Sequence, residues 1–213
     1  MLIPLRIPSL LIGLAVLVQT SAAFAQPNLR STFPGRRIGG GTRGECTARV
    51  LAHLVPSSSV YAPGSVGLLG VLEGPTANPR PLGITIRQVN ASGNADSARR
   101  LLLQKEVPAG AVGVTLFSVA LQGASVWESS YRCDEGSPDP SDPLAMVTSV
   151  APPAVSLLLA DPTPADTALQ AKLKGLRSLC GKTIAREQLA ADFDLRDVIN
   201  AEWPAQLPVR CPS

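Results

Sequence analysis

Proline and glycine divide this chain into short pieces, and that punctuation limits what it can fold into more than any single motif does. Twenty prolines and eighteen glycines are spread over 213 residues. Both residues are poor in helix interiors, so between Cys46 and Pro152 the fitting elements are short strands joined by turns. Leu82, Ile84 and Ile86 alternate with Gly83, Thr85 and Arg87, the period-two pattern of a half-buried strand. Asn90-Ala91-Ser92-Gly93-Asn94 then reads as a turn. Residues 99–107 read as another strand, although its Leu101-Leu102-Leu103 centre lacks clean alternation. After the turn Pro108-Ala109-Gly110, Val112, Val114 and Leu116 alternate again. Trp127, Ser129, Tyr131 and Cys133 share one face of a further strand, with Glu128, Ser130 and Arg132 on the other. A loop over 136–143 and a closing strand over 144–150 complete the set.

The expected fold is therefore mainly β: an antiparallel β-sandwich over 46–152, immunoglobulin-like by analogy, because a tryptophan would lie against a disulfide. Pro152-Pro153 marks a boundary, and 153–213 read as a short α-helical C-terminal segment. There Thr163 can cap a helix, Pro164 suits its first position, and Asp166 complements its dipole. Leu169, Leu173, Leu176 and Cys180 follow at helical spacing, and Gly181 stops the run. A second helix is expected over 184–193. A third is expected after Asp194, with Val198, Ile199 and Trp203 as its apolar positions, ending before Pro204.

Only 4% of the residues are aromatic, so the core must be built from Leu, Val, Ile and Ala. A ring-poor core gains less on burial, and covalent staples become useful. The four cysteines, Cys46, Cys133, Cys180 and Cys211, suit that need. In an exported chain an even number implies two disulfides, and three pairings are open to sequence reasoning. The expected arrangement is Cys46–Cys133 with Cys180–Cys211, since each then closes one structural region.

Export itself is read from 1–25. Arg6 provides a positive start, residues 7–18 an apolar stretch too short to span a bilayer, and Ala23-Phe24-Ala25 a cleavage site. The expected destination is the periplasm, cell envelope or extracellular space, with no membrane-spanning segment left after cleavage. Without the leader, eighteen basic residues face sixteen acidic ones. That balance is too mild for a nucleic-acid-binding protein.

An Arg/Gly-rich N-terminal segment, 26–45, precedes the sandwich. Its distinctive part is Pro34-Gly35-Arg36-Arg37-Ile38-Gly39-Gly40-Gly41-Thr42-Arg43-Gly44-Glu45-Cys46. Gly39, Gly41 and Gly44 match the dinucleotide spacing G-x-G-x-x-G, but the run lacks the preceding strand, and the next acid after Glu45 is Glu73. The match is accidental. Arg30, Arg36, Arg37, Arg43 and Arg49 form a basic cluster offset only by Glu45. Arg36, Arg37, Gly39, Gly40, Gly41, Thr42, Arg43 and Gly44 are thus the candidate binding residues, for an envelope protein or an anionic polysaccharide.

That run, followed by an apolar segment ending in Leu54-Val55-Pro56, resembles a family of secreted cyanobacterial proteins known as domain of unknown function 928. Trp127-Glu128-Ser129-Ser130-Tyr131-Arg132-Cys133-Asp134 is similar to the family's tryptophan-to-Cys-Asp segment, and Glu202-Trp203 resembles the Glu-Trp near its end. In place of the family's aromatic-rich strand this chain has Leu82-Gly83-Ile84-Thr85-Ile86. The resemblance implies a secreted location and a common fold rather than an activity.

The parts of common catalytic sites are missing. Ser65 has Pro63 where a nucleophile elbow needs glycine. No carboxylate pair stands out for glycoside hydrolysis. One histidine and no C-x-x-C argue against zinc, and Asp134, Glu135, Asp139 and Asp142 lack the spacing of a calcium loop. No metal or cofactor is expected. The leading expectation is an exported, non-catalytic interaction module. A structural envelope component without a discrete ligand comes second, and a hydrolase using His53 third.

Overall fold

The computed structural model describes residues 29–41, 49–89, 100–132 and 152–212. The expected leader, the closing strand over 144–150, the acidic loop, Cys46 and Cys133 lie outside these residues. The chain is mainly β, with two mixed sheets. The first is a six-stranded sheet made by β1 (Ile38–Gly40), β2 (Val50–His53), β4 (Val66–Glu73), β7 (Gly113–Ala120), β11 (Gln206–Arg210) and β10 (Thr183–Ala185), in that spatial order. The second runs β3 (Val60–Tyr61), β9 (Ala154–Leu158), β8 (Ser125–Tyr131), β5 (Leu82–Gln88) and β6 (Leu101–Val107). Inward side chains of both sheets share one core, including Leu69, Val71, Ile84, Ile86, Phe117 and Trp127.

The alternation predicted for β5 is borne out, since Leu82, Ile84 and Ile86 are fully buried between half-exposed neighbours. The faces predicted for β8 also hold over its described length, with Ser125, Trp127 and Ser129 inward. β4 behaves differently. Every residue from Gly67 to Glu73 is buried, because helix α2 (Pro164–Arg177), the next helix after the single turn α1 (Leu29–Thr32), covers its outer face. A side chain at Gly70 would run into Leu54, Leu116 and Leu173, so strand and helix lie close together there. A strand buried on both faces reads as a continuous apolar run rather than an alternation, which is why Val66-Gly67-Leu68-Leu69-Gly70-Val71-Leu72 carries no period-two signal.

Two expectations are corrected. The sheets are not purely antiparallel: β3 pairs in parallel with β9, and β7 with β11. The immunoglobulin analogy was drawn for antiparallel sheets, and it reaches only as far as the buried Trp127. Nor is 153–213 a helical appendage. β9 begins directly after Pro153 and pairs with β8, while β11 joins the edge of β7. The two helices of this segment are α2 and α3 (Arg186–Asp192), the second preceded by β10 rather than extending back to Ile184. In place of a third helix, turns follow Asp194, which has a left-handed φ of 53°. Of the expected apolar positions, Ile199 and Trp203 are buried all the same and Val198 packs partly against the core, so their apolar spacing reflects core contacts without a helix.

The start of α2 is as expected. Thr163 and Asp166 form a reciprocal capping box with Pro164 in the first turn. Asp166 also accepts from the Arg30 guanidinium at 2.7 Å and from the Ala62 N–H at 3.1 Å. Burial pushes this carboxyl upward, but the hydrogen bonds from Thr163, Ala62 and Arg30 outweigh it and hold Asp166 below its ordinary value. Cys180 and Cys211 are bridged, as predicted, beside the β10–β11 pair.

Candidate functional site

The glycine–arginine run is a seam between the two sheets. β1 pairs with β2, while Arg36 exchanges both backbone hydrogen bonds with Val155 beside β1, at 2.9 and 2.7 Å. Gly40 N–H donates to Pro152 O at 2.9 Å. An added Cβ would stand 2.4 Å from Ala154 N at Gly39 and 1.9 Å from Arg49 O at Gly40. Backbone-to-backbone approach, rather than ligand contact, therefore accounts for these two glycines. Gly41 is half-buried beyond the strand, and Thr42, Arg43 and Gly44 lie outside the described residues.

Arg37 is likewise an internal fastener. Its guanidinium donates to Val55 O at 2.8 Å, Phe193 O at 3.0 Å and Asp194 O at 2.6 Å, and the residue is 7% exposed. It ties the end of β2 to the end of α3. The expected basic cluster is dispersed in the same way, with Arg30 on Asp166, Arg37 on these carbonyls and Arg49 on Glu73. Arg36 remains at the surface.

His53 occupies the space between the sheets, wholly closed to solvent. Its Nδ1 lies 2.8 Å from Ser156 Oγ and its Nε2 2.9 Å from Ser129 Oγ. Its ring stacks on Trp127 at 3.5 Å, and the Trp127 indole N–H donates to Ser129 Oγ at 2.9 Å. Burial holds the imidazole well below its ordinary pKa and keeps it neutral. A Ser–His contact of this length resembles a nucleophile–base pair, but that chemistry also needs a place for the reacting carbonyl. Neither the ring nor the two hydroxyls lines the cavities described below.

A different set of polar groups meets at the other end of the core. Arg49 Nε donates to Gly74 O at 2.7 Å and its Nη2 to Gly110 O at 2.9 Å, with the guanidinium 5.3 Å from the centre of the Tyr131 ring. Its Nη1 stands 2.9 Å from Glu73 Oε1, and Arg210 Nη2 stands 3.6 Å from Oε2. Neither contact has hydrogen-bond geometry: Arg49 Nη1 and both Glu73 oxygens lack a directed partner among the described residues. The attraction is one of charge. Desolvation pushes the Glu73 carboxyl above its ordinary value despite the pull of Arg49 and Arg210.

Arg210 faces outward from this cluster into a cavity of about 650 Å3, bounded by the turn 107–110, Val209, Thr115 and the Cys180–Cys211 bridge. Thr115 sits opposite Arg210 in the β7–β11 register. Its hydroxyl is buried without a hydrogen-bond partner among the described residues. A second cavity of about 450 Å3 lies on the other side of Cys211 and Pro212, between Lys105, Phe117 and Arg177. Among the described residues no group of three or more His, Cys, Asp or Glu could hold a metal ion, and no helix is long and apolar enough to cross a membrane.

Glu73, Thr115 and Arg210 were not among the residues picked out by sequence, and Arg49 was grouped with the wrong neighbours. Glu73 alone left a trace, as a carboxylate closing an uninterrupted apolar run. Compared with known proteins, the chain matches no family model, no curated protein and no solved structure.

Proposed function

We propose that this chain is an exported, non-catalytic binding module of the periplasm, cell envelope or extracellular space. Its binding end is where Arg210, Thr115 and the turn 107–110 meet. The observation that carries the reading is the 650 Å3 cavity, within the roughly 300–1,000 Å3 of small-molecule sites, lined mainly by apolar groups with a few polar ones. The Arg–Gly run is the weaker candidate, because Arg37, Gly39 and Gly40 are already committed to the seam. Two features support export: the leader-like start, and a bridge between Cys180 and Cys211 that an oxidising space would maintain. The resemblance to the secreted family points the same way. The non-catalytic part rests on the cavity wall offering a guanidinium and a hydroxyl but no carboxylate or imidazole of its own among the described residues: Glu73 is enclosed behind Arg210, and the single histidine lies sealed elsewhere.

The test is a thermal-shift screen of small amphipathic compounds on the full chain and on Ala109→Trp, which fills the cavity from an exposed position. Stabilising compounds are expected to lose their effect on the variant and to be recovered chemically unchanged. Compounds that stabilise both proteins alike, or that are converted, would overturn the proposal. Fractionation tests its other half, since finding Cys180 and Cys211 reduced in the cytoplasm would remove export.

A further inference from the structure

We infer that the cavity beside β11 takes an apolar monocarboxylate, its carboxylate held by the Arg210 guanidinium and the Thr115 hydroxyl and its body against Val107, Pro108, Ala109 and Val209. The inference rests on the binding reading above and names the chemistry of its ligand.

Two guanidinium groups, Arg49 and Arg210, face one carboxylate, Glu73, so the inner end of the cavity has an excess of one positive charge among the described residues. Arg49 is enclosed, whereas the Arg210 side chain keeps 31% of its surface accessible. Arg210 is therefore the group through which that charge reaches the cavity. Its Nη1 and Nη2 each donate to Ala111 O, at 3.1 and 2.7 Å. A guanidinium has five N–H donors in a planar fork that suits a carboxylate, so donors remain for a ligand.

Thr115 adds a buried hydroxyl with no hydrogen-bond partner among the described residues. A buried hydroxyl left without a partner is destabilising, because its lost hydration is not replaced, and native proteins rarely keep one without a reason. Thr115 is closed to solvent. Its hydroxyl comes within reach when an incoming anion draws the Arg210 guanidinium off the Ala111 carbonyl. The carboxylate oxygens can then accept from both groups, which stand side by side on adjacent strands. The rest of the wall is Val107, Pro108, Ala109, Gly110, Val209 and the disulfide, which offers little to a polar body and favours an apolar one.

The experiment is calorimetric titration of the full, oxidised chain with 4-phenylbutyrate and with its uncharged amide. The acid is expected to bind on the order of tenfold more tightly than the amide, the usual range for a hydrogen-bonded charge. Thr115→Val is expected to weaken the acid several-fold, and Arg210→Lys, which keeps the charge but loses the fork, on the order of tenfold. Arg210→Gln should abolish the preference for the acid. Circular dichroism and the thermal midpoint identify any variant that fails to fold, in which case the acid-to-amide ratio of the parent chain and Thr115→Val decide the matter. Equal affinity for acid and amide, with both lost in Ala109→Trp, would overturn the carboxylate assignment while leaving the cavity as the binding site. Binding of neither probe, or binding unaffected by Ala109→Trp, would overturn both.

Discussion

His53 is a neutral imidazole held between two serine hydroxyls and an indole face, and that arrangement has a sign in pH. An ordinary histidine titrates near 6.5, and burial holds His53 well below that value. As pH falls below about 6.5, the unfolded chain takes up a proton that the folded chain refuses. Stability then drops by up to about 1.4 kcal/mol per unit until the folded pKa is reached. Glu73 works in the opposite sense. Its folded carboxyl keeps a proton above the ordinary 4.5, so its contribution to stability declines as pH rises through that window. Urea unfolding of the parent chain and of His53→Gln between pH 5 and 6.5 separates the two. The parent should lose stability on acidification distinctly faster than the variant. Parallel slopes would mean that the folded protein admits a protonated His53.

At the scale of the element, β1 is short, yet it fastens both sheets. One edge pairs with β2, and the adjoining chain bridges to Val155 and Pro152. Such a strand works only if its backbone approaches closely on both sides, and glycine is the residue that permits it. Gly40→Ala meets two penalties, a φ of +79° and a carbonyl 1.9 Å from the new Cβ. Gly64→Ala meets only the first, since φ is +84° there with nothing within 4 Å of its Cβ. Differential scanning calorimetry should show a loss of about 1–2 kcal/mol at Gly64, the ordinary cost of a left-handed alanine. The loss at Gly40 should exceed it clearly, by more than about 2 kcal/mol, since the backbone itself must move. Similar losses at both positions would contradict the seam. The cause of the glycines was not legible beforehand. The sequence shows the composition of the run, but the atoms that forbid a side chain belong to Arg49, Pro152, Pro153 and Ala154, three of them more than a hundred residues away.

On the scale of the whole molecule, the Cys180–Cys211 bridge spans 31 residues and fixes β11, which carries Arg210, to the end of α2. Closing a loop of that length stabilises by roughly 3–4 kcal/mol on the loop-entropy argument. The Cys180→Ser/Cys211→Ser pair should lose about that much in chemical unfolding. Hydrogen exchange should speed up first over β10 and β11, with the centre of β4 and β7 least affected. Uniform acceleration across both sheets would show that the bridge supports the whole core rather than its C-terminal edge.

Much of the local structure was written in neighbouring residues. The alternation Leu82-Gly83-Ile84-Thr85-Ile86, the inward face of Trp127 and Ser129, and the Thr163–Asp166 capping box each depend on side chains a few positions apart, and each stands as read. The Cys180–Cys211 bridge belongs to the arrangement expected among the three possible ones, and the fold makes it by bringing those two Cα atoms within 5.7 Å. Tertiary structure alone decided that β9 and β11 belong in the sheets, that the basic cluster is parted among internal partners, and that Glu73, Thr115 and Arg210 meet at one cavity. The physical reason is range. Periodicity and capping are set by contacts within a turn or two of the chain, whereas a parallel strand pair or a buried ion cluster joins residues that only the closed fold makes neighbours.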